Sequence, residues 1–251
     1  DAQESRGLGD VYKRQIDYGK ILKPYISDVS VELFNAYKNG KNILFEGAQG
    51  MSLDVDHGIY PYTTSSNTGA GHISIGTGVS FKSVNRTIGV VKAYLSRVGE
   101  SPLPTELEDE TGDHIRENGG EYGTTTGRPR RIGWLDLVQV RQAVRVNGLT
   151  EIALTKLDVL NNIDELLVCN AYEVGGDEIY ETPASLTDYR NAKPVYEKLK
   201  GWGEIPENIW DKGFDKLPKE IKDYISFIEK RIECRVTILS VGPQRHETII
   251  R

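Results

Sequence analysis

The sequence of 251 residues has little cysteine, no long apolar run and no surplus of positive charge. No apolar stretch approaches the ~18 residues that a spanning helix requires, which excludes an integral membrane protein. Only two cysteines occur, Cys169 and Cys234, so a disulfide scaffold is excluded and a reducing, cytoplasmic compartment is expected. The net charge of −6 argues against a protein whose main task is binding nucleic acid through its phosphates.

Several common signatures of nucleotide and metal sites are also absent from the sequence. There is no GxxxxGK[ST] phosphate loop and no GxGxxG dinucleotide fingerprint. Neither HExxH nor paired CxxC spacing occurs, and the four histidines are scattered along the chain. We therefore expect no metal-ligand set within this sequence, and each histidine is more simply explained as an ordinary polar residue.

The remaining composition is that of a globular protein, with 38% hydrophobic and 27% charged residues. Glycine is abundant at 26 residues, and much of it lies between Gly47 and Gly133, which indicates loops defined by their backbone. The first fifteen residues, DAQESRGLGDVYKRQ, lack the apolar region of a signal peptide. Because DVYKRQ resembles a translated sequencing adapter, we interpret residues 1–15 as an artefact; a flexible native terminus is the alternative.

Periodicity and turn residues predict an α/β domain over residues 16–251 with a mainly parallel central sheet and flanking helices. The predicted helices are Val29–Lys38, Leu135–Asn147 and Pro218–Ile232. The predicted strands are Ile43–Phe45, Thr87–Tyr94, Ile152–Thr155, Leu166–Tyr172 (antiparallel or at an edge) and Val236–Ser240, the last strand. Open α/β folds bind ligands beyond the carboxyl ends of such strands, so the residues that follow them are candidates for a site.

The first candidate is the loop Thr124–Arg131, in which three hydroxyls, one glycine and three arginines occur in eight residues. Hydroxyls and the planar guanidinium groups suit the binding of carboxylates or phosphates. A solvated basic loop is the alternative, but an anion site is favoured in a chain that is acidic overall.

The second candidate is Thr155-Lys156-Leu157-Asp158, which follows a predicted buried strand directly. It resembles the guanine-reading element of GTP-binding proteins, in which a carboxylate accepts hydrogen bonds from the N1–H and 2-amino groups that adenine lacks. Four residues alone are a weak signal, and taken alone they favour a strand-end salt bridge. Ser240-Val241-Gly242-Pro243 also ends a strand and could form a second wall of the same base pocket.

The polar segments Glu46–Gln49 and Tyr60–Asn67 are a further candidate, since glutamine can donate to and accept from a base edge and hydroxyls can bind phosphate. An ordered polar loop explains them as well.

Taken together and in order, these segments resemble the C-terminal part of the adenylosuccinate synthetase family. The strings that carry the resemblance are Phe45–Gly50, Leu53–Thr68, Lys92–Gly99, Pro104–Gly112, Gly123–Asp136, Thr155–Leu160 and Ser240–Pro243. The likeness extends from about residue 28 to residue 251 and covers somewhat more than half of a family chain. It implies a P-loop GTPase-like α/β fold.

The resemblance also implies an activity. The family joins IMP to L-aspartate with GTP and Mg²⁺, and it releases adenylosuccinate, GDP and phosphate in the first step from IMP to AMP. The 6-oxygen of IMP is phosphorylated first, and the aspartate amine then displaces that phosphate. A cytoplasmic homodimer is implied as well, with no nucleic acid or membrane partner.

Site residues are implied position by position. For IMP they are Gln49, Thr64 and Arg128. For aspartate they are Val98, Gly99, Thr124, Thr125, Thr126, Gly127, Arg128, Pro129 and Arg130. For GTP they are Arg130, Lys156, Leu157, Asp158, Ser240, Val241 and Gly242.

Some family features find no counterpart in this sequence. The GDEGKGK phosphate loop, the general-base Asp that binds Mg²⁺ and the catalytic His of the NAGH segment are not found, so we expect a fragment that holds no catalytic or Mg²⁺ residue and is inactive alone. Gly69-Ala70-Gly71-His72 also departs from the Thr-Ala-Gly-Gly of many relatives. Two other hypotheses remain: a shortened homologue that only binds nucleotide, and a nucleic-acid module built on Arg128–Arg131, which the net charge disfavours.

Overall fold

The structure is a computed structural model that describes residues 2–125 and 127–251, and its side chains from residue 9 onward. Asp1 and Thr126, the latter a predicted aspartate-binding residue, lie outside the described residues. The chain divides into two units, which are residues 1–46 with 73–83 and residues 47–72 with 84–251.

The helices are α1 (Ala2–Leu22), α2 (Val29–Lys38), α3 (His72–Thr77), α4 (Glu110–Gly119), α5 (Leu137–Asn147), α6 (Leu186–Asn191), α7 (Ile209–Lys212) and α8 (Lys219–Ile232). The strands are β1 (Ile88–Lys92), β2 (Leu95–Arg97), β3 (Glu106–Leu107), β4 (Arg131–Gly133), β5 (Leu135–Asp136), β6 (Glu151–Thr155), β7 (Glu165–Val174), β8 (Asp177–Ile179), β9 (Lys193–Lys200), β10 (Val236–Ser240) and β11 (Thr248–Ile250).

In the smaller unit, helix α2 has the predicted bounds. The Asp28 carboxylate caps it by accepting a hydrogen bond from the backbone N–H of Val31 at 3.2 Å. The predicted strand Ile43–Phe45 is wrong, because residues 43–45 pair with no strand within the described ranges and the Leu44 side chain is 88% exposed. An apolar triplet becomes a strand only when a neighbour supplies ladder hydrogen bonds, and its sequence does not say whether one is present.

The larger unit is built on a four-stranded sheet with the order β1-β6-β10-β11. Strands β1 and β10 both pair with β6 in parallel, and β11 adds antiparallel to β10. The mainly parallel central sheet is therefore confirmed, although Val236–Ser240 is not the last strand. Because three neighbouring strands run in one direction, their carboxyl ends meet at one edge, where Lys92, Lys156 and Ser240 lie.

Helices α5 and α8 supply much of the core of this unit. The predicted apolar face of α8 is buried throughout, with Ile221, Tyr224, Ile225, Ile228 and Ile232 each at most 4% exposed. Helix α5 begins two residues later than predicted because Leu135 and Asp136 form β5, and the Asp136 carboxylate then caps the helix. Its predicted stop at Gly148 is confirmed, with φ +56°.

Two further sheets were not predicted. One is antiparallel with the order β2-β4-β3, and the other surrounds β7, which pairs in parallel with β5 and antiparallel with β8 and β9. The predicted strand Leu166–Tyr172 thus has antiparallel neighbours, as expected, but it lies inside its sheet and not at an edge. Its run of apolar residues reflects burial on both faces.

Candidate functional site

The residues that follow β6 form the centre of the site. Asp158 begins a short 3-10 helix, Asp158–Leu160, and its Oδ1 atom is buried without a hydrogen-bond partner in the described part of the chain. Burial raises the pKa of the Asp158 carboxyl, and the nearby charge of Glu247 acts in the same direction. It is one of six buried side-chain nitrogen or oxygen atoms without a partner in the described residues. Because buried polar atoms are rarely left unpaired, this oxygen is a candidate acceptor for a donor from outside the chain.

The segment Ser240–Gly242, predicted as the second side of a base pocket, lies next to Lys156–Asp158. The backbone N–H of Leu157 donates to the carbonyl of Ser240 at 3.3 Å, which joins the ends of two adjacent parallel strands. The Ser240 hydroxyl donates to the carbonyl of Gly242 at 2.9 Å and closes the turn. A Cβ at position 242 would lie 2.4 Å from the Glu247 carboxylate, so glycine allows this close approach.

Lys156 adopts an unusual backbone conformation at the end of β6. Its φ of +62° lies in the left-handed region, which non-glycine residues adopt at a cost and mostly where surrounding structure imposes it. Its ammonium donates to the carbonyl of Gly119 at 2.5 Å and lies 3.4 Å from Oε1 of Glu121. The lysine is thus held in place from the end of helix α4.

Glu121 is a central residue that the sequence analysis missed. Its carboxylate is fully buried and accepts hydrogen bonds from Lys92 Nζ and Tyr94 Oη, both at 2.6 Å, and from Arg130 Nη1 at 2.7 Å. Burial by itself would raise the pKa of Glu121, but the bonds from Lys92 and Tyr94 and the positive charge nearby lower it to about 2. No sequence signal indicated this role, because Glu121 is a single glutamate that follows Gly119–Gly120 and belongs to no periodic pattern.

The predicted anion loop forms a hairpin that starts at Glu121. Tyr122 pairs with Pro129, and the backbone N–H of Gly123 donates to the carbonyl of Arg128 at 2.8 Å. Gly127 closes the tip with φ +63°. The described tip residues Thr124, Thr125, Gly127, Arg128 and Pro129 are exposed. The described backbone on either side of the tip is thus held by hydrogen bonds, while the described side chains of the tip that could bind an anion are exposed.

Arg131 connects this hairpin to the predicted Val98–Gly99 segment. Its Nη1 atom donates to the carbonyls of Gly99 at 3.0 Å and Ser101 at 2.7 Å, and its guanidinium pairs with Glu106. The Val98 side chain is 62% exposed, and Gly99 has φ +81°. The two sets of residues predicted to bind aspartate thus lie on adjoining segments.

Two of the three predicted IMP residues, Gln49 and Thr64, belong to a loop organised by Asp54, whereas Arg128 lies on the hairpin. This buried carboxylate accepts hydrogen bonds from four backbone N–H groups, those of Asp56, His57, Thr68 and Gly69. Burial opposes ionisation, but these bonds lower the pKa of Asp54 to about 2.

Within that loop, the backbone N–H of Thr64 donates to the carbonyl of Leu53 at 2.8 Å. Gln49 is exposed and has φ +61°, again in the left-handed region. Arg97 links the loop to Val98, because its guanidinium donates to Ser52 Oγ at 3.1 Å and to the Tyr62 carbonyl at 3.4 Å. Neither Gln49 nor Thr64 is hydrogen-bonded to the Lys156–Asp158 element within the described residues.

In residues 2–125 and 127–251, no three or more His, Cys, Asp or Glu side chains cluster so that they could hold an ion. No helix of this part of the chain is both long and apolar enough to cross a bilayer. Cys169 and Cys234 are buried free thiols.

Comparison with known proteins decides the family. The family model described as adenylosuccinate synthetase matches residues 4–249. The chain belongs to the adenylosuccinate synthetase family. The match begins within residues 1–15, so the origin of that segment as an adapter artefact stays a prediction.

Curated adenylosuccinate synthetases give the extent of the likeness. The protein of Caldanaerobacter subterraneus subsp. tengcongensis is 48% identical over 240 residues, which are 96% of this chain and 56% of that protein. The protein of Ligilactobacillus salivarius is 49% identical over 239 residues, 95% of this chain and 55% of that protein. The chain spans about half the length of the curated relatives that it matches.

A solved structure supports the fold. The structure of fully ligated adenylosuccinate synthetase from Plasmodium falciparum has a TM-score of 0.88 and 39% identity, and the match covers 94% of this chain and 56% of that one. The predicted family resemblance and the α/β fold are therefore confirmed.

Proposed function

We propose that this chain binds the substrates of adenylosuccinate synthesis, the GTP-dependent ligation of IMP and L-aspartate that releases GDP and phosphate. Membership of the family supports the reaction. The observation that carries the binding proposal is the unpaired buried Oδ1 atom of Asp158 at the carboxyl edge of the parallel sheet.

Guanine is the base that this arrangement suits. Its N1–H and 2-amino groups form a donor pair that a carboxylate can accept, whereas adenine offers no such pair on that edge. The base would lie between the Lys156–Asp158 element and Ser240–Gly242, which share the Leu157–Ser240 hydrogen bond. Each bidentate pair of this kind provides about 1–3 kcal/mol of discrimination between bases.

The hairpin would bind the anionic groups of the other substrates. We assign L-aspartate to Val98, Gly99 and the loop 124–130, with Arg130 also reaching GTP. The exposed hydroxyls of Thr124 and Thr125 and the exposed guanidinium of Arg128 support this assignment, since arginine suits carboxylates in bidentate geometry. IMP is assigned to Gln49, Thr64 and Arg128, a set that the Asp54 loop and the hairpin could supply together.

In the reaction, phosphorylation of the 6-oxygen of IMP makes that oxygen part of a good leaving group. The aspartate amine then displaces the phosphate. Mg²⁺ would offset charge on the phosphates when bound. No described residue is assigned as a ligand of Mg²⁺, and none is assigned as a catalytic acid or base. A cytoplasmic location and a homodimer belong to the same proposal, with family membership as their support.

The proposal is tested by titrating the purified chain with GDP and with ADP in a calorimeter. We expect GDP to bind at least tenfold more tightly, because only guanine presents the donor pair to Asp158. Equal affinities for the two nucleotides would contradict the proposal.

A further inference from the structure

Three cations converge on one buried carboxylate at the edge of the sheet. Lys92 ends β1, Lys156 follows β6, and Arg130 closes the hairpin, and all three lie within 3.4 Å of the Glu121 oxygens. The side chains of these cations are about one third exposed, while that of Glu121 is 1% exposed. Each cation therefore has one side on the carboxylate and another open to solvent.

The backbone of Glu121 is fixed as firmly as its side chain. Its N–H donates to the carbonyl of Arg116 at 2.9 Å, next to the left-handed Gly120 that ends α4. Its carbonyl accepts from the N–H of Arg130 at 2.9 Å. The position of the carboxylate is thus set by α4 on one side and by the hairpin on the other.

Lys156 and Arg130 carry charge of one sign and would repel each other without the glutamate. Glu121 Oε1 faces Lys156 and Lys92, whereas Oε2 accepts from Arg130. The ionised carboxylate of Glu121 thereby sets the distance between the Lys156–Asp158 element and the hairpin. Because its pKa is about 2, it keeps its charge throughout the neutral range.

We propose that Glu121 is a positioning residue that holds Lys156 and Arg130 in one geometry and so couples guanine binding to the arginine hairpin. This inference rests on the proposed function, since it takes Lys156 as part of the guanine site. Glu121 acts only through the cations and contacts no substrate itself.

The first experiment is Glu121→Gln in the full chain, with Glu151→Gln as the matched control. Glu151 is likewise a buried glutamate with an arginine partner, Arg86 at 2.6 Å, and its pKa is also about 2. It lies at the other end of β6, about 16 Å along the strand from Lys156. Both variants lose a buried ion pair, so both should melt at lower temperature.

Only Glu121→Gln should change nucleotide binding. We expect GDP affinity to fall about tenfold, which corresponds to about 1.4 kcal/mol, and ADP affinity to stay the same. Glu151→Gln should bind GDP within twofold of the unchanged chain. Equal GDP affinity in the two variants would overturn the inference.

A double-mutant cycle separates positioning from general structural support. In a Lys156→Met background the cation is gone, so Glu121→Gln should weaken GDP binding less than twofold further. A full tenfold additional loss would show that Glu121 does not act through Lys156. If Glu121→Gln does not fold, Glu121→Asp is the second variant. It keeps the charge, but its side chain is too short to reach all three cations, so GDP binding should weaken threefold or more. Unchanged GDP binding in this variant would overturn the inference.

Failure of the proposed function gives a different result. In that case the unchanged chain itself shows no preference for GDP over ADP, and both proposals fall. If the preference is present and Glu121→Gln retains it at full strength, only the positioning role is refuted.

Discussion

Replacing the carboxylate of Asp158 by an amide should remove the preference of the chain for guanine without loss of stability. The Asp158→Asn variant keeps the size of the side chain and one acceptor oxygen, but it presents an NH₂ group where the guanine donors would lie. A hydrogen bond to a charged group is worth about 1.5–3 kcal/mol. Losing one of the two expected bonds therefore weakens GDP binding by roughly tenfold to hundredfold.

The stability of the nucleotide-free variant should move the other way. Asp158 Oδ1 is buried and unpaired, and burial raises the pKa of its carboxyl, so the charge destabilises the empty folded state at neutral pH. Removing that charge should leave the melting temperature unchanged or higher. A drop of several degrees would show that Asp158 is a structural residue.

Two further readouts make the test specific to the base. Xanthosine diphosphate has a carbonyl in place of the 2-amino group, so it should bind the amide variant more tightly than it binds the unchanged chain. In the unchanged chain, GDP affinity should fall as pH decreases through the raised pKa of Asp158, since the protonated group accepts poorly. The variant should lack this pH dependence, and a GDP-over-ADP preference that survives the substitution would refute the role of Asp158.

Three other predictions concern the loops and the core. Asp54→Asn should lower the free energy of unfolding by about 2 kcal/mol in urea melts, because the Asp54 pKa drops from 3.8 to about 2 on folding. This stability is present above pH 4 and is lost as pH falls through about 2. A variant as stable as the unchanged chain would contradict the prediction. In a full-length enzyme that contains this segment, Arg128→Leu should raise the KM for L-aspartate at least tenfold in the ligation assay, whereas the same change at the exposed Arg145 should have no effect. An unchanged KM at position 128 would remove that assignment. Ile228→Ala should cost about 2–5 kcal/mol in the same urea melts, because Ile228 is 1% exposed on the buried face of α8, and a cost below 1 kcal/mol would contradict that packing.

The sequence predicted best those elements whose burial follows a regular period. The five apolar positions of α8 repeat at helical spacing, and all five are buried. The short antiparallel strands β2, β3 and β4 were missed because three residues or fewer show no period. The strand prediction for Ile43–Phe45 was wrong because strand pairing depends on a neighbouring strand, which the three residues themselves do not encode.

The candidate site was predictable where chemistry is concentrated in a short string. Lys156–Asp158 and Ser240–Gly242 lie at the ends of adjacent strands, as open α/β sheets suggest. Glu121 could not be found in this way, because its partners come from several segments of the chain. The role of Asp54 depends partly on Thr68 and Gly69, which lie 14 and 15 residues further along. Glu121 joins residues 92, 94, 130 and 156, and only the folded backbone brings those positions together.

The most direct test of the account is a crystal structure of the chain with GDP bound. We predict that Asp158 Oδ1 lies within about 2.7–3.2 Å of the N1 or 2-amino nitrogen of guanine, with Ser240–Gly242 on the other side of the base. Guanine bound elsewhere, with Asp158 Oδ1 still unpaired, would contradict the role of Asp158 in binding guanine.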